Sequence, residues 1–102
     1  MIYLSKNNST EVVTDNVADF IPESFEVYLD DVLIGEFDNL YPNGQYLMFN
    51  CPKLKLEEKE YTMKIYTYGF LIKEELVIVK DLSKLQVKSI TKPKTLKMYE
   101  RE

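Results

Sequence analysis

Two pairs of adjacent carboxylates, Asp30-Asp31 and Glu57-Glu58, one cysteine, Cys51, and the serines Ser5, Ser9 and Ser24 are the side chains that first suggest chemistry in this sequence. Each lacks the company that chemistry needs. Paired carboxylates become an acid and a nucleophile only when a cleft fixes their separation, and a calcium site needs six or more oxygens around one cation. Adjacent acids on a turn are instead expected to be solvated. The serines have no histidine to take their proton, because the sequence contains none, and a Ser-His triad is excluded. Loss of histidine also removes the commonest metal ligand, and a single cysteine can form neither an internal disulfide nor a thiolate zinc cage. Cys51 follows Tyr-Leu-Met-Phe-Asn and precedes Pro52, company in which a thiol acts as a small buried hydrophobe, with only Lys53 close by to lower its pKa. Gly35, Gly44 and Gly69 stand too far apart to form a phosphate-cradling loop. The residues therefore predict no enzyme, no cofactor and no metal site.

What remains is contact chemistry, and it is densest in Glu60-Tyr-Thr-Met-Lys-Ile-Tyr-Thr-Tyr-Gly-Phe70. Period-two alternation places Tyr61, Met63, Ile65 and Thr67 on one face of a strand and Thr62, Lys64, Tyr66 and Tyr68 on the other. The first set predicts the core face. Tyr66 and Tyr68 then either form cross-strand pairs on a half-exposed sheet or anchor a neighbouring chain, since tyrosine combines large area, few rotors and a polar tip. An aromatic sheet face could also stack single-stranded bases, a use that an acidic body disfavours.

The elements that must position these tyrosines are short alternating blocks rich in β-branched and aromatic residues. They cover 1–5, 11–14, 25–30, 32–37, 46–50, 60–68 and 71–81, with weaker blocks at 85–90 and 96–99. Asp30-Asp31 predicts a hairpin turn, Pro42-Asn43-Gly44 a tight reversal and Pro52 a strand end. Residues 16–20 and the stretch Leu-Lys-Leu-Glu-Glu-Lys-Glu-Tyr are candidates for single helical turns. The pattern predicts an all-β fold, a small antiparallel two-layer sandwich. Its expected core includes Ile2, Leu4, Val13, Phe25, Val27, Leu29, Leu47, Phe49, Met63, Ile65, Leu76 and Ile78.

At 102 residues, 45% of them hydrophobic, the sequence supports one core. No apolar run reaches the length that crosses a bilayer, and the opening Met-Ile-Tyr-Leu-Ser-Lys lacks the pattern of a secretory signal, so a soluble protein without membrane contact is expected. The net charge of -4 is unevenly spread. Residues 1–81 carry 7 lysines against 15 acids, or -8, whereas residues 82–102 carry 6 cations against 2 glutamates, or +4. An acidic body repels phosphate backbones, which disfavours nucleic acid as a partner. The expected organisation is a β-sandwich body over 1–81 and a basic C-terminal arm over 82–102. Leu82, Leu85, Val87, Ile90, Leu96, Met98 and Tyr99 give the arm its apolar contacts, and with Tyr66 and Tyr68 they form the predicted protein interface.

Taken in order, the segments Met-Ile-Tyr-Leu-Ser-Lys, Glu-Val-Val-Thr, Phe-Glu-Val-Tyr-Leu-Asp-Asp, Tyr-Leu-Met-Phe-Asn, Tyr-Thr-Met-Lys-Ile-Tyr-Thr-Tyr-Gly and Leu-Ile-Lys-Glu-Glu-Leu-Val-Ile-Val-Lys-Asp resemble a group of short β-sandwich proteins of tailed phages that infect Bacteroidetes, the crAss-like phages among them. The resemblance covers residues 1–81 and lies in the order and spacing of the segments. It implies an immunoglobulin-like virion structural protein, a capsid-attached head-fibre or decoration component. It further implies assembly in the host cytoplasm as a homo-oligomer and contact with other virion proteins, capsid or fibre. The rival expectation is a phage-encoded binding module, outside the virion, that grips a host protein. The arm lies outside the resemblance, and no catalytic residue travels with it.

Overall fold

The computed structural model describes residues 2–81, and those residues are strands and connections with no helix. Seven strands follow one another: β1 (Ile2–Ser5), β2 (Thr10–Asp15), β3 (Ser24–Leu29), β4 (Val32–Asp38), β5 (Tyr46–Cys51), β6 (Glu60–Thr67) and β7 (Phe70–Lys80). The arm residues named above, and the expected strands at 85–90 and 96–99, lie outside the described residues.

Five strands form one sheet in the order β1-β7-β6-β3-β4, and β2 pairs with β5 in a second, two-stranded sheet. The larger sheet is mixed rather than antiparallel, because β1 runs parallel to β7, with Leu4 opposite Val79. Alternation within a strand carries no information about the direction of its neighbour, which is why an all-antiparallel fold was the simpler expectation.

Two hairpins set the register of the larger sheet. Leu29 pairs with Val32 around Asp30 and Asp31, whose φ angles are 47° and 69°. Thr67 pairs with Phe70 around Tyr68 and Gly69, at 51° and 80°. Two-residue loops with both φ angles positive match the right-handed twist of the flanking strands. Asp30 gains a second anchor, because its carboxylate accepts a 2.9 Å hydrogen bond from the Thr62 amide. The Pro42-Asn43-Gly44 reversal, by contrast, joins strands of different sheets, β4 and β5.

One core fills the space between the sheets. Phe49 on β5 meets Phe25 on β3 edge to face at 5.6 Å and the tilted ring of Phe37 on β4 at 4.8 Å. Leu4, Val27, Leu29, Leu47, Met63 and Ile65 are fully buried around them. Thr14 on β2 donates a 2.6 Å hydrogen bond across the core to Glu75 on β7. Tyr61, Met63, Ile65 and Thr67 all point inward, as alternation predicts.

Three expected core residues do not. Val12 is buried and Val13 is 43% exposed, while Val77 and Val79 are buried, Leu76 is 48% exposed and Ile78 is half-buried. In Val-Val and in Leu-Val-Ile-Val both phases of the alternation are apolar, so the pairing decides the face. Tyr61 opposite Val77 puts Val77 inward, and Thr62 opposite Leu76 puts Leu76 outward. Ile2 is half-buried and packs against the core.

The two candidate helical turns are irregular. Asn16 takes the place of a helix: its side chain accepts from the Ala18 amide and donates to the Phe20 carbonyl, both at 3.0 Å. Residues 52–59 close the far end of the core, with Leu54 buried and its amide bonded to the Ser5 carbonyl at 3.0 Å.

Candidate contact site

The outer face of the five-stranded sheet, turned away from the core, carries aromatic and acidic side chains together. Tyr66 on β6 is half-buried there and meets Tyr28 on β3 edge to face, with ring centroids 5.4 Å apart. Glu26 lies between two neighbours, opposite Tyr66 on one side and opposite Glu36 of β4 on the other. Among the described residues no ion pair reaches Glu26 or Glu36. Lys64, on the same face, lies 3.6 Å from Asp31 instead.

Two open grooves share Glu26, Tyr66 and Gly69. One, of about 340 Å3, continues past Tyr28 to Asp31. The other, of about 180 Å3, runs along Ser24, Glu36, Thr67 and Tyr68. Carboxylates beside the faces of tyrosine rings can hold an ammonium or guanidinium group, by charge-assisted hydrogen bonds and by attraction to the ring.

Tyr68 is not on the outer face of β6 with Tyr66, as alternation predicts. The strand ends at Thr67, and Tyr68 is the first corner of the β6–β7 turn, 81% exposed. Its left-handed φ of 51° is a conformation in which glycine or asparagine is at ease and a bulky residue is not. The structure thus brings Tyr66 and Tyr68 to one groove from two different elements.

That turn belongs to an end of the molecule where three connections meet. Thr67 donates to the Ser24 carbonyl at 2.9 Å, the Asn39 side chain donates to the Pro22 carbonyl at 2.9 Å, and the Asn16 amide bonds Gln45 at 2.9 Å. A methyl group built on Gly44 would stand 2.9 Å from Ile21, so the 39–45 connection lies directly against the 16–23 connection. Exposed apolar groups crowd this end: Val17, Ile21, Leu40, Tyr68, Phe70 and Leu71 are each at least 45% exposed. The opposite end, at residues 6–9, 52–59 and Asp81, is polar, with the Asn7 side chain bonded to Asp81 and Lys59 over the Tyr61 ring at 5.0 Å.

Cys51 is fully buried, and burial pushes its thiol up to about 11, so it offers no nucleophile near neutrality. Compared with known proteins, the chain matches no family model and no curated protein.

Sequence reasoning passed over Glu26, Tyr28, Glu36 and the apolar groups at the connections. A signal for them was present: residues 7–52 hold nine acids and no lysine or arginine. That segment supplies β2 to β5 and the connections at the apolar end.

Proposed function

We propose that this protein is a virion structural component of a tailed phage, a capsid-attached head-fibre or decoration protein that works by contact with other virion proteins and carries no catalytic activity, cofactor or metal. In this reading it assembles in the host cytoplasm, forms homo-oligomers and resides in the particle. The fold is read as a small immunoglobulin-like sandwich. The strand order β1-β7-β6-β3-β4, with β2 and β5 paired apart from it, supports that reading.

The observation that carries the contact reading is Tyr68. A tyrosine at a left-handed turn corner, 81% exposed, costs the free chain backbone strain and exposes a large ring to water. Neither cost helps the fold, and both are offset if a neighbouring surface covers the ring. The order of segments that resembles the phage proteins supplies the setting. A mass-spectrometric inventory of purified particles tests it: a fixed copy number per particle is expected. Absence from particles, with capture of a host protein by the tagged chain in infected cells, would establish the rival reading of a non-virion phage factor.

A further inference from the structure

We propose that the cleft bounded by Glu26, Glu36, Tyr66 and Tyr68 is the seat for residues 82–102 of a second copy of this chain, so that copies join head to tail. The inference rests on the reading of the protein as a contact module and names its partner.

The cleft asks for a cation. Glu26 and Glu36 are direct cross-strand neighbours, and two like charges in register oppose the pairing of their strands unless something positive lies between them. Lys64, the lysine of β6 on this face, is engaged with Asp31. The Tyr66 ring borders the same groove and favours a cation over its face. Beside the groove, Phe70 is 70% exposed and Leu71 47%, so an occupant must bring apolar side chains as well as charge.

Residues 82–102 have that composition. They hold Lys84, Lys88, Lys92, Lys94, Lys97 and Arg101 against two glutamates, interspersed with the leucines, Val87, Ile90, Met98 and Tyr99. Residues 7–52 supply both glutamates of the cleft and no cation to compete for them. Charge complementarity of this kind orients a partner and speeds its arrival.

The position of the arm favours a second copy. β7 runs for 11 residues from Phe70, beside the cleft, to Lys80 at the polar end, a distance of about 33 Å. An arm returning to its own cleft would use about ten extended residues on the way back, roughly its first half. A copy placed in line receives the whole arm at once. A cleft at one end and an arm leaving from the other make a heterologous contact, the geometry that builds rings or filaments.

The test uses the full chain throughout. Sedimentation velocity over a concentration series in 50 mM salt should show mass rising with concentration, and 500 mM salt should weaken the association at least tenfold. E26Q/E36Q should weaken it at least tenfold with a thermal midpoint at or above that of wild type, and E26K/E36K should abolish it. Lys92→Glu, Lys94→Glu and Lys97→Glu together should abolish it as well. When that arm variant is mixed with E26K/E36K, the intact arm of one meets the intact cleft of the other and the two reversed charges match as well, so association is expected to return. A wild-type chain that stays monomeric, an E26Q/E36Q variant that assembles as wild type, or a mixture that remains monomeric overturns the proposal. If E26K/E36K fails to fold, E26Q/E36Q mixed with the arm variant decides in its place, with partial dimer expected and none overturning. These outcomes are separate from the particle inventory: a chain present in virions yet monomeric in solution would sink the head-to-tail seat and leave the structural role standing.

Discussion

Glu26 on β3 and Glu36 on β4 are direct cross-strand partners on the outer face of the sheet, and no ion pair among the described residues reaches either of them. Such a pair weakens the hairpin that contains it, because the two carboxylates repel across adjacent strands. A sheet that keeps this arrangement has a destabilised spot at the place where two grooves meet.

Replacing Glu36 with glutamine should therefore stabilise the monomer. A gain of roughly 0.2 to 1 kcal/mol is expected from urea denaturation at low protein concentration. Raising the salt should shrink the gain, since screening already relieves the wild-type repulsion. A loss of stability would mean that Glu36 makes a favourable contact in the free chain. The same substitution should weaken assembly, so folding and association move in opposite directions.

Ile65 and Leu76 test the register of the central strands. Ile65 is fully buried between the sheets, and Ile65→Ala should cost about 2 to 5 kcal/mol. Leu76 faces outward at 48% exposure, and Leu76→Ala should change stability by about 0.5 kcal/mol or less. Equal costs at the two positions would mean that β7 is shifted by one residue against β6.

The sequence makes the strands of this fold easy to find and the faces of two of them hard. Where a block alternates cleanly, as in Phe25-Glu-Val-Tyr-Leu29 or Tyr61 to Thr67, the buried set is readable at once. Where both phases are apolar, as in Val12-Val13 and Leu76 to Val79, only pairing with β5, β6 and β1 selects the inward side. Both two-residue turns lie at legible positions, Asp30-Asp31 and the residues before Phe70. The end of β6 was obscured because a tyrosine occupies the turn corner. The contact site was half legible. Tyr66 stands out by type and phase, whereas Glu26 and Glu36 become neighbours only through long-range pairing that alternation does not encode.

Cys51 gives a pH signature. Burial raises its thiol from the ordinary 9.0 to about 11, so the folded chain holds that proton more tightly than the unfolded chain does. The associated stability is fully present below pH 9 and is lost as pH rises through about 11. That difference corresponds to roughly 2 to 3 kcal/mol. The comparison is with Cys51→Ala, whose stability should fall less steeply between pH 9 and 11. The native thiol should also resist iodoacetamide at pH 8 and react on unfolding in urea. Parallel pH profiles for the two chains would remove the burial argument.

Tyr68 separates what the fold requires from what a partner requires. At φ 51° and 81% exposure it sits where type I′ turns favour asparagine, so Tyr68→Asn should relieve backbone strain and stabilise the monomer by up to about 1 kcal/mol. The ring lost in that change is the one that borders the smaller groove beside Glu26 and Glu36. Association should weaken several-fold, because a large aromatic anchor at a contact is worth more than the turn strain it costs. Tyr68→Phe keeps the ring and the strained corner, and should leave both quantities close to wild type. Thermal denaturation and sedimentation on the three chains read the two effects separately. A Tyr68→Asn chain that is more stable and associates as well as wild type would show that the ring at this corner contacts nothing in the assembly.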